Sequence, residues 1–63
     1  MEYRLPIMRY FEFDHLPDHL QEISKKFYDL AWMVDESLLP SEEAEVCLRK
    51  LLEAKDAAVR AAL

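Results

Sequence analysis

Glycine is absent from this chain of 63 residues, and cysteine occurs only once. Without glycine, the chain lacks the glycine-rich loops that cradle phosphate groups, the glycine turns of dinucleotide-binding folds and the tightest hairpin turns. A disulfide within the chain is excluded because Cys47 has no second cysteine to pair with. The single thiol is typical of a protein from a reducing compartment, so we expect the cytoplasm.

Long apolar runs and clustered metal ligands are also missing. No stretch approaches the ~18 consecutive apolar residues of a membrane helix, and the first residues lack the basic-then-apolar pattern of a signal peptide. The candidate metal ligands are Cys47, His15 and His19, and Pro17 separates the two histidines. We therefore expect no membrane contact, no metal and no other cofactor.

The charge balance is acidic, with a net charge of -5. Such a charge argues against non-specific binding to nucleic-acid duplexes. It says little about a small anionic ligand, because a few local cations can outweigh distant acidic groups that salt screens.

The length of the chain favours assembly. A chain this short buries only about 60% of the surface that its unfolded form exposes, and ordering it costs on the order of 1.5 kcal/mol per residue. Small domains usually offset this cost with disulfides, a metal or oligomerisation. Since the first two are not expected, we predict a homo-oligomer.

Three prolines divide what we interpret as one helical domain. Pro6 cannot lie in the interior of a helix. Around it, aromatic and apolar residues alternate with polar ones, and this pattern predicts an extended arm. This arm is too apolar to be free in solution, so we expect it to cover the helices or a neighbouring chain. The predicted segments are the arm, helix one and helix two, at residues 1–16, 17–38 and 42–63 of the single domain 1–63.

Helix one is predicted from its start signal and its apolar spacing. Pro17 suits a first helical turn, and apolar residues then recur three or four positions apart, as on one face of an amphipathic helix. Pro40 ends this pattern, and Ser41 is a good N-cap for a second helix. Because the break is short, the two helices should fold back antiparallel, as a hairpin.

The apolar side of helix two is wider than one partner needs. At about 100° per residue it spans roughly 200°, whereas one partner helix covers about 100°. The excess, together with small side chains that allow close approach, indicates a second contact surface, although alanine is also the best helix former. The alanines concerned are Ala54, Ala57, Ala58, Ala61 and Ala62.

Lys55 projects into the middle of that apolar arc. Burying an ammonium group without a partner is costly. One interpretation is that the stem lies along the apolar face while the head reaches water or a carboxylate. The other is that several copies of Lys55 meet around an anion. The remaining charges read as ordinary surface pairs, such as Asp56 with Arg60 four positions later.

Helix one carries a second unusual stripe, formed by Gln21, Lys25, Tyr28 and Trp32 and facing away from its main apolar side. Aromatic rings beside a lysine could stack a nucleobase and pair with its phosphate. They could equally form a contact with a protein, where tryptophan and tyrosine are common anchors. The two interpretations merge if a ligand binds at an interface.

A catalytic arrangement is not identified. The serines look like helix or cap residues, and the acidic pair Glu42 and Glu43 sits at a helix start, where the helix dipole explains it. We therefore expect no enzyme activity and assign no catalytic residue.

The order of short motifs resembles that of a known family. Phe11-Glu12-Phe13 precedes helix one, Pro40-Ser41 links the helices, and a Leu-x-x-Leu-Glu-Ala-type core spans residues 48–54. Over residues 11–63 this is similar to the anti-CBASS sponges of phages, which are small hairpin proteins that sequester cyclic oligonucleotides. Their hairpin is shared with a group of Thoeris inhibitors.

The resemblance implies a homohexamer acting in the host cytoplasm against bacterial anti-phage defence. Such a protein binds cyclic dinucleotides between protomers and cyclic trinucleotides near the three-fold axes, and it releases them intact. The alternative is a structural helical oligomer that binds a host or phage protein.

The resemblance also suggests which residues would bind the ligand. The aromatic residue before helix one matches Phe13, or Tyr10 if the arm shifts. The cation of helix one matches Lys25 or Lys26 approximately, whereas a strict alignment with the family's motifs places Tyr28 at that position. The cation of helix two matches Lys55. With stacking aromatics included, the predicted ligand-binding residues are Tyr10, Phe13, Lys25, Lys26, Tyr28, Trp32 and Lys55.

Overall fold

The computed structural model describes residues 2–63, and these residues are all helical or irregular, without a strand. A short 3-10 helix, Pro6–Phe11, precedes two long helices, α1 (Asp18–Ser37) and α2 (Glu42–Ala62). The two long helices pack against each other, and the 3-10 helix packs against both. The predicted helical class is therefore confirmed.

The start of α1 is fixed by Pro17 and by a side-chain amide. The carbonyl of Pro17 accepts hydrogen bonds from the backbone N–H groups of Leu20 and Gln21, at 2.9 and 3.0 Å. The side-chain Nε2 of Gln21 donates back to the carbonyl of Leu16 at 2.7 Å. This bond ties the loop before α1 to its first turn. Gln21, which the sequence places on one stripe with Lys25, Tyr28 and Trp32, thus has a local structural role.

The connection between the long helices ends in a side-chain cap. Leu38 adopts an extended conformation that closes α1, and its N–H donates to the carbonyl of Val34 at 3.1 Å. Ser41 then caps α2, because its Oγ accepts the N–H of Ala44 at 3.1 Å. The first turn of α2 carries Glu42 and Glu43 at the positive end of the helix dipole. The cap predicted for Ser41 is confirmed.

The prediction of an extended arm is wrong for Pro6–Phe11, which forms a 3-10 helix. Pro6 occupies the first helical position, where its fixed φ is suitable and its missing N–H costs nothing. With three residues per turn, Met8 and Phe11 fall on the same side, and both are buried. The alternation of apolar residues predicted an extended arm, whereas the buried residues Met8 and Phe11 follow the three-residue spacing of a 3-10 helix.

The carboxylate of Asp35 anchors the beginning of this segment to α1. Its Oδ2 accepts the backbone N–H of Arg4 at 2.7 Å, and its Oδ1 accepts that of Leu5 at 3.1 Å. The guanidinium of Arg4 also donates to the carbonyl of Leu38 at 3.2 Å. Asp35 is only 3% exposed, so the two N–H groups satisfy a buried carboxylate, and the carboxylate fixes where the segment lies.

The core is small and draws on all three helices. Met8 and Phe11 from the 3-10 helix meet Ala31 of α1 and Leu48 of α2 in one buried cluster. The N-terminal segment therefore completes the core between the long helices. Leu30 and Leu38, which the three- and four-residue spacing places on the apolar face of the predicted helix one, are instead about half exposed. The large apolar side chains that the structure leaves exposed are Tyr3, Tyr10, Leu30, Met33, Leu38, Leu39, Val46 and Leu63.

Candidate functional site

Lys55 is buried, as its position in the apolar arc predicts, with 9% of the residue exposed. Its Nζ lies 3.2 Å from Oδ1 of Asp56, the neighbouring residue. Asp56 was expected to pair with Arg60, but its carboxylate lies next to the buried ammonium instead. Within one chain, therefore, the side chain of Lys55 is mostly buried, and its head reaches a half-exposed carboxylate.

Lys25 and Lys26 lie together on the exposed side of α1. The Nζ of Lys25 forms an ion pair with Oδ2 of Asp29 at 3.2 Å, one helical turn later. Both partners are 60% exposed, so this pair contributes only a few tenths of a kcal/mol. A phosphate group could displace Asp29 from Lys25 at small cost. An open cavity of about 550 Å³ is lined by both lysines together with Glu22 and Asp29.

Tyr10 is the most exposed aromatic residue in the part of the chain that the structure describes, at 59%. The guanidinium carbon of Arg9 lies 5.7 Å from the centre of its ring, within the range of a cation–π contact. An exposed ring beside a cation offers both a stacking surface and a positive charge. The sequence interpretation included Tyr10 but missed Arg9, although the two residues are adjacent.

The remaining predicted aromatics form a row that begins at Phe13 and continues along α1 with Tyr28 and Trp32. Both α1 rings pack against the core cluster, so the prediction that they face away from the apolar side of the helix is wrong. The Phe13 and Tyr28 rings pack edge to face with centroids 5.2 Å apart, and Tyr28 contacts Trp32 at 6.2 Å. The Trp32 ring also contacts Tyr3 at 6.3 Å. The row thus ties the N-terminal segment to α1 at both ends. The side chains of Phe13, Tyr28 and Trp32 are half-buried.

Two open cavities flank Tyr28, and carboxylates line both of them. One, of about 410 Å³, is lined by Glu12, Phe13, Asp14 and Tyr28. The second cavity, of about 280 Å³, lies further along α1. Its lining residues are Tyr28, Asp29, Trp32 and Glu36. The described residues that line these cavities include no lysine or arginine, so their electrostatic potential opposes an approaching phosphate.

The predicted site residues therefore fall into four groups, and two of these groups meet where Phe13 and Lys25 line a common cavity of about 280 Å³. Tyr10 has Arg9 beside it at an exposed position, Lys25 and Lys26 share the exposed side of α1, and Lys55 is buried on α2. The aromatic row lies in acidic surroundings, which the helical projection could not reveal. Glu12 and Asp14 come from the loop before α1, and their position depends on how that loop folds.

Two kinds of feature are not found among residues 2–63. The helices there contain no segment long and apolar enough to cross a membrane. No group of three or more histidine, cysteine or carboxylate side chains is placed to hold a metal ion within the same range. Ser24 is fully buried, and its Oγ has no hydrogen-bond partner among these residues.

Comparison with models of known protein families gives no match, and comparisons with curated proteins and with solved structures give none either.

Proposed function

We propose that the protein sequesters cyclic di- and trinucleotide signals without cleaving them and so counteracts bacterial anti-phage defence from within the host cytoplasm. The observation that carries this proposal is the exposed ring of Tyr10 beside the Arg9 guanidinium. Stacking on an aromatic ring contributes about 1–3 kcal/mol per base, and a neighbouring cation can pair with the phosphate. The motif resemblance over residues 11–63 supplies the cyclic ligand class.

The proposed site divides the predicted residues by their surroundings. Tyr10 would stack a base, while Lys25 or Lys26 of another protomer would pair with a phosphate. Phe13, Tyr28 and Trp32 are less suited to direct contact, because carboxylates line the cavities around them. We therefore give this aromatic row a supporting role, in which it holds the N-terminal segment that carries Tyr10.

Lys55 would serve a second site. In one chain Lys55 is buried, and its ammonium forms an ion pair with one carboxylate of residues 2–63, that of Asp56. If several α2 helices converge around an axis, several ammonium groups meet, and their repulsion in a poorly solvated place favours binding of an anion. A cyclic trinucleotide has the matching three phosphates.

Assembly is part of this proposal. We propose a homohexamer of antiparallel hairpins, in which the alanine side of α2 meets other protomers. Ala54, Ala57 and Ala61 are exposed in the single chain and lie on one side of the helix. Small side chains there allow two backbones to approach closely.

Calorimetry with a panel of cyclic di- and trinucleotides tests the proposal. We expect saturable binding of at least one ligand, with linear dinucleotides as controls. Tyr10→Ala should weaken dinucleotide binding at least about tenfold, whereas Tyr10→Phe, which keeps the ring, should change it little. Lys55→Met should weaken only trinucleotide binding. Absence of binding across the panel would refute the proposal.

A second candidate function is binding of a host or phage protein by a helical oligomer. The exposed apolar side chains of α1, Leu30 at 44% and Met33 at 52%, favour it. A pull-down from host lysate that retains one protein specifically, without nucleotide, would favour this candidate. Loss of that protein with Met33→Glu, but not with Lys26→Gln, would locate the contact.

A further inference from the structure

We propose that the two cavities around Tyr28 form one groove that binds arginine side chains of a partner protein. This acidic aromatic groove is formed by the rings of Phe13, Tyr28 and Trp32 and by the carboxylates of Glu12, Asp14 and Glu36. The inference is independent of nucleotide binding, because a groove of this charge repels phosphates.

Three carboxylates of the groove have no ion-pair partner among residues 2–63. These are Glu12, Asp14 and Glu36, whereas Asp29, nearby, is already paired with Lys25. Glu12, Asp14 and Glu36 are exposed, so salt screens their attraction for a cation. The half-buried rings beside them offer a cation–π contact in addition.

The aromatic rings restrict the kind of cation. A planar guanidinium stacks on tyrosine or tryptophan within about 6 Å of the ring centre and can bond a carboxylate through two N–H groups at once. The Arg9 guanidinium over the Tyr10 ring shows the same type of contact within this chain. A bare metal ion fits less well, since the described residues contain no cluster of three potential ligands.

The shape of the groove favours a segment with more than one arginine. The larger cavity, of about 410 Å³, lies in the range of ligand pockets, which is about 300–1,000 Å³. Tyr28 lines both cavities, so one arginine could enter on the Phe13 side and a second on the Trp32 side. We therefore commit to a basic, arginine-containing segment of a partner protein as the occupant.

Trp32 provides a direct probe, since it is the only tryptophan in the chain and lines the second cavity. A short peptide of alternating arginine and glycine is titrated while Trp32 fluorescence is recorded. We expect a saturable change that weakens as salt rises from low to physiological concentration. The matched peptide with citrulline, which has the same shape without the charge, should give no saturable change.

Paired variants locate the binding. Glu12→Gln combined with Asp14→Asn should raise the dissociation constant at least about fivefold, because two charge-assisted contacts are lost. Glu43→Gln combined with Glu53→Gln removes the same charge from exposed positions of α2 and should change it by less than about twofold.

Three outcomes would overturn the inference. These are equal binding of the citrulline peptide, an equal loss in both double variants, or no saturable response to the arginine peptide. A saturable Trp32 response to a cyclic dinucleotide alone would also overturn it and would assign the groove to the nucleotide. Because no nucleotide is present in the peptide titration, its failure leaves the sequestration proposal unaffected.

Discussion

The side of the long helices that faces the N-terminal segment differs sharply from their outer side. On the covered side, Met8, Phe11 and Leu48 are almost fully buried. On the outer side, Leu30 and Met33 remain about half exposed. The comparison shows that the chain completes one core with its own N-terminal segment and leaves apolar side chains of α1 exposed.

The largest effect is expected at Phe11, which is 0% exposed. Phe11→Ala should lower the free energy of unfolding by about 3–5 kcal/mol, because it removes a large side chain from a closed core. Tyr10→Ala changes the adjacent, exposed residue and should cost less than about 0.5 kcal/mol. Urea unfolding followed by circular dichroism, at one fixed protein concentration, measures both. Similar losses of unfolding free energy in the two variants would mean that the covered side and the outer side contribute equally to stability.

The attachment of the N-terminal segment is tested at Asp35. Asp35→Ala leaves the N–H groups of Arg4 and Leu5 without their acceptors and should cost about 2 kcal/mol. Hydrogen exchange should then accelerate at the amide of Met8, which donates to the carbonyl of Leu5. Glu36→Gln, one position away and exposed, is the control. Unchanged exchange in Asp35→Ala would show that the carboxylate does not hold the segment.

The outer side is tested by placing a charge among the alanines of α2. Ala57→Glu should weaken self-association at least about tenfold, or about 1.4 kcal/mol, because a carboxylate would be buried between helices. Sedimentation velocity over a range of concentrations measures this. Lys26→Gln makes the same change in net charge on α1 and should assemble normally. Normal assembly of Ala57→Glu would exclude this face as the interface.

The smallest effect concerns the hydroxyl of Ser24, which is buried without a hydrogen-bond partner among residues 2–63. Ser24→Ala removes a desolvated polar group at little cost in volume and should stabilise the fold by about 0.5–1 kcal/mol. For a domain of this size, the melting temperature should rise by a few degrees. A lower melting temperature would imply that the hydroxyl has a partner in solution, such as a bound water.

Much of the fold follows from local signals in the sequence. The proline and serine signals identify the two long helices, and the projection of α2 places Lys55 in its apolar arc. The N-terminal segment is not predictable in this way, because its path depends on Asp35, about thirty residues away in sequence. A 3-10 helix of six residues is also too short for its three-residue spacing to be distinguished from the alternation typical of an extended segment.

The site is less predictable than the fold, because the electrostatics depends on tertiary placement. The spacing of Tyr28 and Trp32 on α1 correctly indicates a shared stripe, and their rings do make contact. Glu12 and Asp14, however, reach this stripe from the preceding loop. Their negative charges favour a cationic ligand over a phosphate at this stripe. A projection of α1 alone cannot show this, because both residues lie outside the helix.

Native mass spectrometry of the protein mixed with a cyclic trinucleotide tests the central claim most directly. We predict an oligomer, with hexamer as the expected mass, that carries bound trinucleotide and releases it chemically intact when the protein is denatured. A monomer without ligand at micromolar concentrations, or a ligand recovered in hydrolysed form, would contradict sequestration.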